Sequence, residues 1–167
     1  MAEVDRQVLH SFVQQNVQKF AELKPLVVGP PDRMIERFQR ERYSLVGRPD
    51  ERPEGDQGVA IDPGFNIGYI RCEPGKGHCM HSHPAVEIFI PMSGLWEIEV
   101  GGVGTITAGP WDVVSMPGGT FHAATNIGDE VGYMMSVNNG TKTAPYTIAP
   151  EIIAEIGEAG RAGKTAA

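Results

Sequence analysis

Apolar and polar residues follow two different periods along the chain. From Asp5 to Leu23 apolar side chains recur at steps of three and four residues, which predicts an amphipathic helix that ends at Pro25. A weaker pattern of the same kind predicts a second helix from Asp32 to Tyr43. The stretch from Arg48 to Gly58 is rich in proline, glycine and charged residues, so we expect a surface connection there. The N-terminal part is thus predicted to be helical.

From Val59 to Val137 the pattern changes to short apolar or alternating runs bounded by Gly, Pro, Asn and Asp, which is typical of antiparallel strands. The clearest strand is Leu95–Val100, in which apolar residues alternate with glutamates. Strand character resumes from Ile106 to Met116 and again from Val131 to Val137. Near the end, Pro150 is suited to the first turn of a short C-terminal helix. We therefore predict an all-β domain between two helical ends.

Composition narrows the functional classes. The 167-residue length fits one domain, and the formal net charge of −7 argues against a nucleic-acid partner. No run approaches the ~20 apolar residues needed to span a bilayer, so no membrane partner is expected. The two cysteines and the lack of an N-terminal export pattern predict a cytoplasmic protein. A small-molecule substrate is the expected partner.

Four residues carry the candidate chemistry. His81 and His83 are two apart, so on a strand their side chains point to the same side. Glu87 keeps that parity, and His122 follows a predicted turn that can bring it to the same place. Imidazoles with a carboxylate are ligands for divalent transition metals. A set of hydrogen-bonded core residues is the alternative interpretation, and it requires no metal.

The spacing of these residues resembles the two sequence motifs of the cupin superfamily. The first motif extends from Gly75 to Gly94, with His81, His83 and Glu87 at the expected offsets. The second extends from Asp112 to Asn126, and its matching positions are Pro117, Gly119, His122 and Asn126. Trp111 occupies the place where the family usually has a glycine, a departure that is predicted to affect only the local turn.

The resemblance implies a jelly-roll-like cupin β-barrel at residues 51–147, with a helical extension at 1–50 and a short C-terminal helix and frayed tail at 148–167. It also implies one divalent metal held by four ligands, with Fe(II) favoured over Mn, Ni or Zn. Glu87 and His122 are the candidate catalytic residues. The leading hypothesis is a non-haem iron dioxygenase for a small enol, phenol, or hydroxy or keto acid. The alternatives are a metal-dependent decarboxylase or isomerase of a small acid or sugar, and a non-catalytic ligand-binding module. The family also implies a homodimer.

Strand parity gives further expectations around the site. It places His78 in a loop or at the rim, and it points Cys79 inward, either as a small buried apolar residue or as a reactive thiolate. An outward Arg71 is the plainer interpretation of that residue, but an inward one would bind a substrate carboxylate or phosphate. Four side chains are candidates for a substrate pocket above the metal, although some of them can instead fill the core: Tyr69, Arg71, Phe89 and Trp96.

Overall fold

The computed structural model describes residues 5–26, 31–48, 52, 59, 63–140, 142 and 144–165, with side chains described up to residue 161. Within these residues, two α-helices and three turns of 3₁₀ helix flank the strands. The helical elements are α1 (Arg6–Asn16), the 3₁₀ turns Phe20–Glu22, Pro31–Met34 and Glu36–Phe38, and α2 (Pro150–Thr165). The strands are β1 (Glu41–Val46), β2 (Phe65–Cys72), β3 (Gly77–Ser82), β4 (Glu87–Ser93), β5 (Trp96–Val100), β6 (Gly104–Ala108), β7 (Val114–Met116), β8 (His122–Asn126), β9 (Gly132–Asn139) and β10 (Thr147–Ile148).

The strands form two antiparallel sheets of five strands each. Sheet I has the order β1-β2-β9-β4-β7, and sheet II has the order β10-β3-β8-β5-β6. The main apolar core lies between them, because side chains such as Phe89 and Met134 of sheet I pack with Trp96 and Ile98 of sheet II. The predicted all-β, jelly-roll-like fold is therefore confirmed.

Strand β5 shows how the sequence pattern builds this core. Trp96 and Ile98 are fully buried, while Glu97 and Glu99 are exposed. This is the predicted alternation, and it arises because successive side chains of a strand point to opposite faces. The predicted strand from Ile106 to Met116 is instead two strands, β6 and β7, which belong to different sheets.

The first N-terminal helix is shorter than predicted. α1 begins with Asp5, whose carboxylate accepts hydrogen bonds from the backbone N–H of Gln7 and Val8. It ends at Asn16 rather than at Pro25, and no side chain of α1 is buried against the described part of the chain. A helix without tertiary packing gains little from extra turns, which accounts for the early end.

The predicted helix from Asp32 to Tyr43 is wrong. Its first half forms the 3₁₀ turns, and β1 begins at Glu41 and pairs with β2 from Glu41↔Arg71 onward. Backbone hydrogen bonds to the free edge of β2 are a partner that local periodicity does not reveal. A strand of sheet I thus lies inside the predicted extension 1–50, while the proposed domain boundary at residue 51 stays a prediction.

A second apolar cluster covers the outer face of sheet II. Ile35 and Phe38 pack there against Cys79 and Ile148, and side chains of α2 cover them. A buried ion pair, Arg40 Nη1 to Asp32 Oδ2 at 2.9 Å, holds this segment in place. α2 begins at Pro150, as predicted.

Two predictions extend beyond the described residues. Of the connection Arg48–Gly58, only residues 48 and 52 are described, and the tail is not described beyond residue 165. The helices in the described part of the chain are all too short or too polar to cross a bilayer. The homodimer stays a prediction.

Candidate metal centre

Four predicted ligands from both sheets meet at one end of the core. His81 is on β3, His83 directly follows β3, His122 begins β8 and Glu87 begins β4 of the other sheet. His81 and His122 face each other across the β3–β8 pair. One ligand atom from each of the four residues lies within 4.8 Å of all the others. The structure thus brings the four predicted residues together.

The three histidines share one orientation. The Nδ1 atoms of His81, His83 and His122 lie 2.8, 3.0 and 2.9 Å from the backbone carbonyl oxygens of Cys79, Ala85 and Thr120 respectively. A carbonyl oxygen only accepts hydrogen bonds, so each Nδ1 carries the proton. Each Nε2 then has its lone pair available for a cation, as in metal-bound histidines.

The two oxygens of Glu87 have different surroundings. Oε1 accepts hydrogen bonds from Ser136 Oγ at 2.6 Å and from Asn138 Nδ2 at 3.1 Å. Oε2 lies 2.9 Å from His83 Nε2 and 3.2 Å from His122 Nε2. One oxygen is therefore held by the protein, and the other faces the histidines.

Burial disfavours the charged forms of Glu87 and His81 in this cluster. Burial by itself raises the pKa of Glu87, but the close contacts of its carboxylate with His122, His83 and Ser136 hold that pKa well below its ordinary value. Burial, followed by the proximity of His122, lowers the pKa of His81 to about 4. At neutral pH the cluster therefore combines a carboxylate with a neutral His81.

These residues fit a divalent transition metal. With Nδ1 protonated, the lone pairs of His83 and His122 point at the lone pairs of Oε2, an arrangement that requires either added protons or a cation between them. Three imidazole nitrogens and one carboxylate oxygen suit Fe, Mn, Ni or Zn. The donor set supports a metal site and does not distinguish these ions.

The predicted position of His78 is wrong. It is 4% exposed, and its ring centroid lies 4.9 Å from that of His81 and 5.6 Å from that of Phe89. The cause is a register shift in β3 between His78 and His81, because an inserted residue reverses the parity of the strand. His78 Nε2 has no hydrogen-bond partner among the described residues.

The same inserted residue, a β-bulge in β3, turns Cys79 away from the four clustered ligand residues. Cys79 is fully buried under α2 with Ile148, and its Sγ lies 3.7 Å from the hydroxyl of Tyr146. Burial raises the pKa of Cys79 and of Cys72 to about 12, and both are free thiols. Cys79 is thus a buried apolar residue, while its predicted inward direction is wrong.

Three of the four predicted pocket residues lie away from the cluster. Tyr69 and Arg71 are on the outer face of sheet I, where Phe20 contacts the Tyr69 ring and Glu73 pairs with Arg71 at 2.8 Å. The plainer interpretation of Arg71 holds. Strand alternation explains both residues, since the even-numbered side chains of β2 face the core.

The other two aromatic residues of that prediction are both buried in the core. Trp96 pairs with Asn126, at the opposite end of β8 from His122, and it donates a hydrogen bond to the backbone oxygen of Ser93. Only Phe89 adjoins the site, with its ring centroid 5.6 Å from that of His122.

Sequence reasoning missed three neighbours of the ligands. Ser136 and Asn138 hold Glu87, and the ring centroid of Tyr146 lies 4.7 Å from that of His81. The shared parity of Ser136 and Asn138, polar residues on an otherwise apolar strand face, was the available signal. For Tyr146 the sequence offered none.

The positive φ of Gly94 agrees with the glycine of the first motif, whereas Trp111 has a positive φ without being a glycine. Gly94 has φ +80°, and a Cβ there would come within 2.9 Å of Gly132 Cα. Trp111 has φ +73°, a conformation that favours glycine, and its side chain is exposed. The turn therefore keeps a glycine-like shape despite the tryptophan, and His122 remains at the site.

Comparisons with known proteins agree with this geometry. The family described as Cupin_2, cupin domain, matches residues 68–138. A 5-nitrosalicylic acid 1,2-dioxygenase from Bradyrhizobium is 26% identical over 98 residues, which are 59% of this chain and 47% of that protein. The chain thus matches about half the length of that curated relative.

Solved structures show the same fold at low identity. The cupin-2 domain from Rhodospirillum rubrum has a TM-score of 0.59 at 16% identity, covering 84% of this chain and 85% of that one. The polyketide cyclase RemF from Streptomyces resistomycificus has a TM-score of 0.60 at 15% identity, covering 89% and 85%. Residues 68–138 therefore match the cupin domain family, and the two-sheet fold around them is the one that these solved structures share.

Proposed function

We propose that this protein is a metal-dependent cupin oxygenase, specifically a non-haem Fe(II) dioxygenase for a small enol, phenol, or hydroxy or keto acid. The observation that carries the proposal is the convergence of three histidine Nε2 lone pairs and Glu87 Oε2. An Fe(II) ion at this position would bind an oxygenated substrate and activate it for reaction with dioxygen.

The residues have distinct roles in this proposal. His81, His83 and His122 bind the ion through Nε2, and their Nδ1 hydrogen bonds fix the ring orientations. Glu87 supplies the negative charge that offsets part of the ion's charge. Phe89 provides an apolar surface beside His122, which keeps water from that side of the site.

The curated relative supports the choice of substrate class. Its name gives 5-nitrosalicylic acid, a phenolic acid, as the compound that it oxidises. We infer a phenolic or related acid for this chain, with the phenol and carboxylate oxygens as the groups that bind the metal. The similarity to a polyketide cyclase supports the fold alone, because one fold hosts many reactions.

The experiment combines metal analysis with oxygen consumption. Protein purified without an affinity tag is analysed for metals, then loaded with Fe(II) under anaerobic conditions and mixed with salicylates, catechols and hydroxy acids in an oxygen electrode. We expect about one iron per chain and substrate-dependent oxygen uptake. Another bound metal, or no uptake across the panel, would contradict the oxygenase and favour a decarboxylase, an isomerase or a binding module.

Two variants make the test specific. His81→Ala removes one ligand, so both metal binding and substrate-dependent oxygen consumption should be lost. His10→Ala changes an exposed histidine of α1 and should leave both unchanged. Full metal stoichiometry in the His81→Ala protein would show that the ligand assignment is wrong.

A further inference from the structure

The carboxylate of Glu87 can bind a metal in two ways. A carboxylate coordinates either through one oxygen or through both, and the second mode takes up an additional position on the ion. With three imidazoles, one-oxygen binding gives four protein donors and leaves two positions of an octahedral ion open. Two-oxygen binding leaves one. A chelating substrate needs two positions, so the binding mode of Glu87 affects what the centre can do.

Two buried side chains determine what surrounds the second oxygen. Ser136 Oγ lies 2.6 Å from Glu87 Oε1, and Asn138 Nδ2 lies 3.1 Å from the same atom. Ser136 is 7% exposed and Asn138 is 1% exposed. Because water has little access to these groups, a lost hydrogen bond would not be replaced at low cost.

The directions of these hydrogen bonds are determined by the atoms present. A carboxylate oxygen only accepts, so Asn138 directs its NH₂ group at Glu87. The same NH₂ group donates to Ser136 Oγ at 2.9 Å. The single hydroxyl proton of Ser136 is then free to point at Oε1. The result is a closed triangle in which both donors serve one oxygen of Glu87.

The strand register explains why these residues meet Glu87. β9 lies beside β4 in sheet I, with Glu87 opposite Asn138 and Phe89 opposite Ser136. Ser136 and Asn138 have the same parity on β9 and both face the core. None of the four clustered ligand residues is on β9, so that strand acts on the centre through Glu87.

We propose that Ser136 and Asn138 are positioning residues that hold Glu87 Oε1 and thereby restrict Glu87 to one-oxygen coordination through Oε2. This keeps two positions open for a chelating ligand such as the phenol and carboxylate oxygens of one substrate. The inference rests on the proposed metal site and extends it to the ligand geometry. Substrate oxidation is not required for it.

The test uses Co(II) as a probe metal, because its visible absorption reports coordination number. Wild type, Ser136→Ala, Asn138→Ala and Ser136→Thr are loaded with Co(II), and 4-nitrocatechol is the chelating probe. In Ser136→Ala we expect Co(II) affinity to fall about tenfold to a hundredfold, as for other residues that orient metal ligands. We also expect a changed Co(II) spectrum and at least a tenfold loss in 4-nitrocatechol affinity.

Ser136→Thr keeps the hydroxyl and should restore the wild-type spectrum and affinities. Ser115→Ala, which changes an exposed serine of β7, is the matched control and should behave as wild type. If Ser136→Ala does not fold, Asn138→Ala tests the other donor to Oε1 with the same measurements. Spectra and 4-nitrocatechol affinities within twofold of wild type in the folded variants would overturn the positioning role.

The outcomes also separate this inference from the proposed function. A wild-type protein that binds no Co(II) overturns the metal site, and the positioning role falls with it. A wild-type protein that binds Co(II) and 4-nitrocatechol but consumes no oxygen with Fe(II) contradicts only the oxygenase. In that case the variants still decide the role of Ser136 and Asn138.

Discussion

Acidification of the metal-free protein tests the burial of the histidine cluster. Burial, with a contribution from nearby His122, lowers the pKa of His81 to about 4. An unfolded chain has a histidine pKa of about 6.5. As pH falls below ~6.5, His81 therefore becomes protonated in the unfolded chain but stays neutral in the folded protein. The free energy of unfolding decreases as a result.

The expected size follows from the difference in pKa. One unit corresponds to about 1.4 kcal/mol, so His81 alone should cost about 3 kcal/mol between pH 6.5 and 4, and about 2 kcal/mol by pH 5. Burial also lowers the pKa of His78 well below its ordinary value, which adds a loss of the same sign. The pKa of Glu87 is lowered, so Glu87 contributes only at a pH below its ordinary value of 4.5. The window from pH 7 to pH 5 therefore isolates the effects of His81 and His78.

The measurement is urea unfolding in the presence of a chelator at pH 7, 6 and 5. The free energy of unfolding of His81→Asn should fall by about 2 kcal/mol less than that of wild type over this range. His10→Asn, at an exposed position, should match the wild-type slope. Equal slopes for wild type and His81→Asn, or a wild-type stability that rises toward pH 5, would refute the reasoning.

Three further predictions concern the rest of the fold. Cys72 and Cys79, with pKa values raised to about 12 by burial, should not react with a thiol reagent at pH 8 until the protein unfolds; rapid labelling of the native protein would contradict this. Asp32→Ala should lower the free energy of unfolding by about 3 to 5 kcal/mol, because it leaves the buried charge of Arg40 unpaired; a loss below about 1 kcal/mol would show that the pair is dispensable. Trp111→Gly should raise the free energy of unfolding by about 1 kcal/mol in the same assay, because glycine adopts the left-handed backbone conformation at this position without strain. A decrease would count against strain at Trp111.

The metal cluster was predictable from sequence because its signals are local. His81, His83 and Glu87 lie within a few residues of one another, and His122 lies in a second motif with recognisable spacing. The alternation in β5 was equally local, since one buried face requires an apolar residue at every second position. Pro150 likewise marked the start of α2 because its backbone suits the first turn of a helix.

Other features depend on contacts between distant parts of the chain. β1 is a strand because β2 offers it hydrogen bonds, although its residues have a helix-like pattern. Ser136 and Asn138 reach Glu87 only through the register of β4 with β9, about fifty residues apart in sequence. The hydrogen-bond partners of Glu87 could therefore not be predicted from local sequence patterns.

The bulge in β3 shows most clearly what local sequence patterns cannot predict. Residue types and spacing determined which side chains can bind a metal, because ligand chemistry belongs to the residues themselves. The directions of His78 and Cys79 were decided by one inserted residue, which reverses strand parity and appears only when β3 pairs with β8. Tertiary structure set these directions because pairing with a neighbouring strand, rather than the local sequence, fixes where a strand is interrupted.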